Sequence, residues 1–359
     1  IFDLMMKSLA LFASAGIGEI LLHEIGVKTV VANELISKRM DLFSSVNPEC
    51  ECITGDITNE KIYKSIIDHS LKAGVTNLIA TPPCQGFSLA GKNKSIDQVS
   101  SDKRNNLFMY AISAIKDLDL NTALIENVPR FLKSYLPYEG DLILPSEILK
   151  SELGDLYDFK IGIYNSANYG VPQSRQRAIV RIWKKGYLSD WPEPDKTDKL
   201  ITVHDAIGDL PSLQPGEKSK LKWHFARNHE PRMIEYMRHT PTGKSAHENK
   251  IYFPKTRNGE RVKGFKATYN RMRWDRPAPT ITMRNDAISS QSNVHPGRPL
   301  KNGTYTDPRV LTPLELFRLM GIPDDPGFPY DTSEILIRQC IGEGVPPKLI
   351  SSLFKKIIE

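Results

Sequence analysis

The chain has 359 residues, 40% of them apolar and 25% charged, with a formal net charge of +6. That composition is expected of a soluble globular protein, and the length holds one large domain or two ordinary ones. No apolar stretch approaches the roughly 20 residues of a membrane helix, and no basic-then-apolar leader with a cleavage site opens the chain. The four cysteines, Cys50, Cys52, Cys84 and Cys340, lack zinc-ligand spacing and are too few for a disulfide framework. The expected setting is the reducing cytoplasm, with no metal and no membrane partner, where a thiol stays usable.

The first 185 residues alternate strand-like apolar runs with amphipathic stretches. Strands are expected over 8–13, 27–33, 52–54, 77–80, 122–126, 159–164 and 178–183. Helices are expected over 17–25, from about 36, over 60–71 and over 107–116. This rhythm predicts an α/β fold, a doubly wound, mostly parallel sheet with helices on both faces. Residues 84–106 interrupt it with a long polar segment containing Gly86 and Gly91, whose length favours a lid. From Gly186 prolines recur, at 192, 194, 211, 215, 231, 241 and 254, and helical periodicity is scarce. Residues 186–310 are therefore read as a second, irregular and smaller domain. Helical patterns return over 313–320, 333–341 and 347–358. The reading is a first domain of 1–185 completed by 311–359, with 186–310 as the second.

The distribution of charge says more than its sum. Residues 222–276 hold fourteen Lys or Arg against five Asp or Glu, so the rest of the chain nets −3. Eight aromatic residues are interleaved there, among them Trp223, Tyr252, Phe253 and Trp274. Local positive charge with aromatics is the footprint of a polyanion binder, and nucleic acid is the favoured partner over a plain solvated surface. Arg271 and Arg273 are candidate base readers, because alternate positions of an extended segment share a face.

Cys84 follows the run 77–80 directly, in Thr81-Pro82-Pro83-Cys84-Gln85-Gly86. Two prolines end a buried strand at once, since neither can donate to a sheet ladder. The thiol is thus expected at the carboxyl mouth of an open sheet, where ligands bind. It is a candidate nucleophile there, although most free cysteines are small buried hydrophobes. Gly16 and Gly18 follow the first strand and suit a ligand at a turn. Glu34 ends the second strand, where a carboxylate suits ribose hydroxyls. Asp56 ends the third and suits a ring amino group, or is an ordinary cap. Glu126 ends the fifth strand in Glu126-Asn127-Val128, a place for a proton-donating carboxyl. Arg175 and Arg177 stand at alternate positions entering another strand and suit a clamp on a carbonyl oxygen or phosphate.

Taken in order, these motifs resemble the cytosine-C5 DNA methyltransferases of bacterial restriction-modification systems, nearly end to end. The order runs from Gly16-Ile17-Gly18 through Glu34, Asp56, Pro82-Pro83-Cys84-Gln85, Glu126-Asn127-Val128 and Gln173-x-Arg175-x-Arg177. It continues with Arg276-Pro277-Ala278-Pro279-Thr280-Ile281-Thr282 and closes on Gly342-x-Gly344-Val345-Pro346-Pro347. There are departures. Ser14 stands where the family usually has Phe, Glu19 replaces the last glycine of the first motif, and Glu343-Gly344 replaces Asn-Ala in the last.

The resemblance implies a Rossmann-like fold, S-adenosylmethionine as cofactor, and double-stranded DNA as partner. It implies a Cys84 thiolate adding to C6 of a flipped-out cytosine. Glu126 would hold the base edge, with Arg177 and Arg175 at its O2 side. Cofactor contacts carry over to Ser14, Ala15, Gly16, Ile17, Gly18, Glu34, Leu35, Asp56, Ile57, Pro82, Leu107, Glu343 and Val345. DNA contacts carry over to Gln85, Ser88 and Lys92, and residues 186–275 correspond to the target-recognition region. A monomer is expected, with a restriction endonuclease of the same site as companion. Two alternatives remain at this stage. One is a tRNA cytosine-C5 methyltransferase, whose Cys-Phe-Thr signature is missing here. The other is a non-catalytic DNA-binding relative, which the intact Cys84, Glu126 and Arg177 disfavour.

Overall fold

The computed structural model describes residues 5–83, 107–256, 258–262, 264 and 267–358. The expected lid of 84–106 and the candidates Cys84, Gln85, Ser88 and Lys92 lie outside the described residues. The described residues fall into two compact units. One is Ile1–Asn165, Gln176–Asp195 and Ile350–Glu359, and the other is Ser166–Arg175 with Lys196–Leu349.

The first unit is built on a seven-stranded sheet of order β3-β2-β1-β4-β5-β9-β8. The strands are β1 Met6–Leu11, β2 Val27–Glu34, β3 Glu51–Thr54, β4 Asn77–Ala80, β5 Thr122–Asn127, β8 Tyr157–Asn165 and β9 Gln176–Lys184. β1 to β5 pair in parallel, and β9 runs antiparallel to both β5 and β8. The fold is thus the expected mostly parallel α/β sheet. β4 is buried at all four positions, as a central parallel strand covered on both faces must be.

Alternation divides the two faces. Leu9, Leu11 and Val31 join one core with Ile66 of α2 Glu60–Ala73, Phe108 and Ile112 of α3 Leu107–Asp117, and Ile148 of α4 Pro145–Leu153. Ala10 and Ala32 point the other way and pack with Met40 and Phe43 of α1 Ser37–Val46. Helices therefore cover both faces, as a doubly wound sheet requires. A short hairpin, β6 Leu136–Tyr138 with β7 Asp141–Ile143, precedes α4. Neither the hairpin nor α4 was expected from the sequence, and each hairpin strand is only three residues long.

The helix expected over 17–25 does not form. Backbone bonds run Gly16→Ala13, Glu19→Gly16, Leu22→Glu19 and Ile25→Leu22, three residues apart at each step. The segment is a chain of turns ending in the short 3-10 helix His23–Ile25. Ser14 and Gly16 take left-handed φ of 48° and 72°, which prevents a helix from starting there.

In the second unit the described helices are α5 Val203–Ile207, α6 Pro231–Arg238, α7 Pro313–Met320 and α8 Glu334–Glu343. The first two were not expected from the sequence. α9 Pro347–Ile358 follows, and its residues from Ile350 belong to the first unit. α7 starts on a full capping box between Thr312 and Glu315. Among the described residues, no helix is long and apolar enough to cross a membrane.

Candidate active site

Parallel register brings the motif residues of the first unit to one edge of the sheet. Leu11 pairs with Asn33 and with Ala80, Glu34 with Thr54, and Ala80 with Ile125. The carboxyl ends of β1 to β5 therefore align, and the segments leaving them meet. Thr81 donates its amide to Leu11 O at 3.2 Å and its hydroxyl to Phe12 O at 2.9 Å. Asn33 Nδ2 reaches Ile53 O at 2.9 Å and Gly55 O at 3.2 Å.

Glu34 is buried, and its carboxylate holds the turn after β1. Oε2 accepts from the Ser14 amide at 2.9 Å and Oε1 from the Ile36 amide at 3.0 Å. The Ser14 hydroxyl is buried and has no hydrogen-bond partner among the described residues. A buried orphan hydroxyl at a sheet mouth is unusual enough to call for an explanation. Beside Glu34, Leu35 is 62% exposed, a large apolar side chain facing out at this edge. Asp56 is exposed and accepts from the Thr58 amide at 2.9 Å, an Asx-type turn. Ala15, Ile17 and Ile57 are buried. Gly18 and Leu107 are half-buried and Pro82 is buried.

Across the same edge, Glu126 is the last residue but one of β5, and Arg177 lies on β9, paired antiparallel to it. Their side chains form an ion pair, Arg177 Nε to Glu126 Oε1 at 2.7 Å, with both residues almost fully buried. Asn127 links this pair to the chain leading to Cys84. Its Nδ2 donates to Pro82 O at 3.0 Å, and its Oδ1 accepts from Val128 N at 2.8 Å. The sequence marked Asn127 as part of a motif but gave it no task.

Three expectations about arginines resolve differently. Arg175 is buried in the second unit and donates to Ile281 O at 2.7 Å, Gly342 O at 2.8 Å and Glu343 O at 3.2 Å. Its guanidinium meets these backbone carbonyls, where the resemblance implied a clamp on the base. The reason is local: β9 begins at Gln176, so the two-residue alternation does not extend back to Arg175. Arg271 is likewise fully buried, donating to carbonyls of Met237, His295, Thr306 and Asp307, and cannot read a base. Arg271 makes only an isolated bridge with Val294, so no regular strand puts it on one face with Arg273. Arg273 is exposed and paired with Asp275 at 2.8 Å. Of the remaining candidates, Glu343 is half-buried and Val345 buried, both in the second unit.

Glu19 is a residue the sequence marked only as a departure. It is buried beneath the turn after β1, and burial raises its carboxyl to about 7.

An active-site edge of this form, on this sheet, belongs to the methyltransferase class. The family model for C-5 cytosine-specific DNA methylases matches residues 6–359, and the chain belongs to that family. It is 51% identical over 352 residues to the Type II methyltransferase M1.HgaI of Avibacterium volantium, covering 98% of each chain. It is 28% identical over 359 residues to the Type II methyltransferase M1.HphI of Haemophilus parahaemolyticus, covering 100% of this chain and 88% of that one. Among solved structures, a prophage-encoded protein of E. coli described as a DNA modification methyltransferase superposes with a TM-score of 0.72 at 20% identity, covering 98% of both chains. DNMT2 of Spodoptera frugiperda gives 0.63 at 17% identity, covering 98% and 99%. At such identities these two structures support the fold alone.

Proposed function

We propose that this chain methylates C5 of one cytosine in a specific duplex DNA sequence, with Cys84 as nucleophile and S-adenosylmethionine as donor. The observation that supports this most is the buried Glu126–Arg177 pair at the strand edge from which β4 leads through Pro82-Pro83 to Cys84. Cytosine C5 is a weak nucleophile. A thiolate bonding to C6 pushes electrons toward C5, which can then attack an electrophilic methyl, the S–CH3 bond breaking so that the sulfonium donor leaves as a neutral thioether. Loss of the C5 proton re-forms the double bond and expels the cysteine as thiolate. Glu126 would face N3 and the exocyclic amine, and Arg177 would donate to O2 as charge develops. The base must leave the duplex for this to happen.

The residues at the edge fit the donor. Bound S-adenosylmethionine supplies the activated methyl group. The orphan Ser14 hydroxyl and the Glu34 carboxylate offer polar contacts for a ribose, Leu35 an apolar face for an adenine, and Asp56 an acceptor for its amino group. The second unit, with the charge excess of 222–276, would carry DNA recognition. A restriction endonuclease of the same site would be the chain's companion.

The test is a duplex oligonucleotide containing 5-fluorocytosine at the target base. Fluorine cannot leave as a proton does, so the Cys84–C6 bond should be trapped as a covalent protein–DNA adduct in the presence of donor. Cys84→Ser should form none, because a hydroxyl is a far poorer nucleophile than a thiolate. Residual methyl transfer by Cys84→Ser within about tenfold of the unsubstituted chain, roughly 1.4 kcal/mol of barrier, would remove Cys84 from the role. Transfer to tRNA in place of duplex DNA would overturn the substrate.

A further inference from the structure

The bend at residues 280–285, in the second unit, is held by an unusual number of side chains. The Ile281 amide donates to Gln173 Oε1 at 3.1 Å, and its carbonyl accepts from Arg175 at 2.7 Å. The Thr282 carbonyl accepts from Asn285 Nδ2 at 2.7 Å, and the same nitrogen reaches Arg338 O at 2.9 Å. The buried Arg338 guanidinium in turn donates to Asn285 O and Oδ1, both at 3.1 Å, and to Leu311 O at 2.6 Å. Gly342 lies so close that a Cβ there would collide with the peptide between Thr282 and Met283. Burying a guanidinium is unfavourable unless its donors are satisfied. Two such groups fixed on one bend of six residues determine its shape.

Arg284 is the exposed residue near the tip of this bend. Among the described arginines of the second unit it stands apart. Arg227, Arg232, Arg238, Arg273, Arg276, Arg318 and Arg338 are paired with carboxylates. Arg309 is paired too, while Arg175, Arg261, Arg271 and Arg298 donate to backbone carbonyls. Arg284 has neither kind of partner among the described residues. It also lies outside the basic segment 222–276.

We propose that Arg284 is an anchor for a DNA phosphate, presented by a pre-fixed bend. This rests on the reading of the chain as a DNA methyltransferase. A guanidinium fits a phosphate bidentately. Because Arg284 has no carboxylate partner among the described residues and its bend is already fixed, little is lost when the phosphate binds. A phosphate contact positions the duplex and carries no sequence information.

The test measures binding of target and unrelated duplexes over a range of salt. Arg284→Ala should weaken both alike, by about fivefold to tenfold near 0.1 M salt, and reduce the slope of log K against log salt by about one. Arg284→Lys should keep the slope, since the charge remains. Gly342→Ala should lower the slope with every charge in place, because it displaces the bend. A slope unchanged in Arg284→Ala, in a chain that still methylates DNA, overturns the assignment of Arg284 alone. A loss confined to the target sequence overturns it too, making Arg284 a base reader. An unsubstituted chain that neither binds nor methylates duplex DNA overturns the functional reading and this inference together.

Discussion

Glu19 carries an electrostatic cost in the turns after β1. It takes the place of a family glycine, and burial raises its carboxyl from 4.5 to about 7. A carboxyl whose pKa is raised by folding favours the native state fully below its unfolded pKa. That contribution is lost as pH rises through about 7. Glu19→Gln should therefore stabilise the protein at pH 8, by up to about 3 kcal/mol from one pKa unit being about 1.4 kcal/mol. The gain should vanish toward pH 4.5. Thermal melts at the two pH values measure this, and an equal shift at both would mean that ionisation of Glu19 is not its cause. At this same scale the sequence was least informative about arginines. Arg175 and Arg177 look equivalent on paper, yet one is clasped by carbonyls and the other meets a carboxylate. Nothing in a two-residue spacing tells which side of a strand boundary each falls on.

Elements were legible where local pattern and burial agree. The expected 77–80 strand and the 313–320 and 347–358 helices match the structure residue for residue. Each has its own start signal: an unbroken apolar run, a Thr-Pro cap, a Pro pair. The turn chain after β1 was not legible, because Ile17 and Ile20, three apart as on one helix face, are both buried. They are buried by successive turns instead, shaped by Ser14 and Gly16. Glu34 holds that shape. Glu34→Ala removes the acceptor for the Ser14 and Ile36 amides, and unsatisfied buried donors cost about 1–3 kcal/mol each. The expected outcome is weaker S-adenosylmethionine binding with no change in DNA target, and a lower melting temperature. Glu34→Gln, which keeps one acceptor oxygen, should recover part of both. Donor affinity unchanged by calorimetry in Glu34→Ala would count against the role of this edge.

For the whole molecule, the proposed function makes the second unit the reader of DNA, and an exchange between relatives tests that. The excess of nine positive charges lies in 222–276, inside that unit. A return of helical pattern after residue 311 tells nothing of which core those helices join, and contacts decide it. Trp223 stacks edge-on against Phe317 of α7 with ring centres 5.9 Å apart, and the Leu314 amide donates to Trp223 O at 3.0 Å. Arg309 joins Asp307 and Glu315 in a buried charge cluster and also donates to Leu213 O at 3.0 Å. Breaking such a cluster costs about 3–5 kcal/mol, since it leaves a buried charge uncompensated. An exchange of 186–275 alone with a relative of different specificity would divide these contacts, whereas an exchange of 196–349 moves them intact. Both chimeras should methylate the relative's sequence in a random library read by bisulfite sequencing. The longer exchange should melt higher, because it keeps the Trp223–Phe317 packing and the 307–315 charge cluster together. Either chimera, if folded, that still methylates the original sequence would show that recognition resides elsewhere. A shorter exchange as stable as the longer would mean that α7 and the 307–315 cluster do not hold the recognition segment in shape.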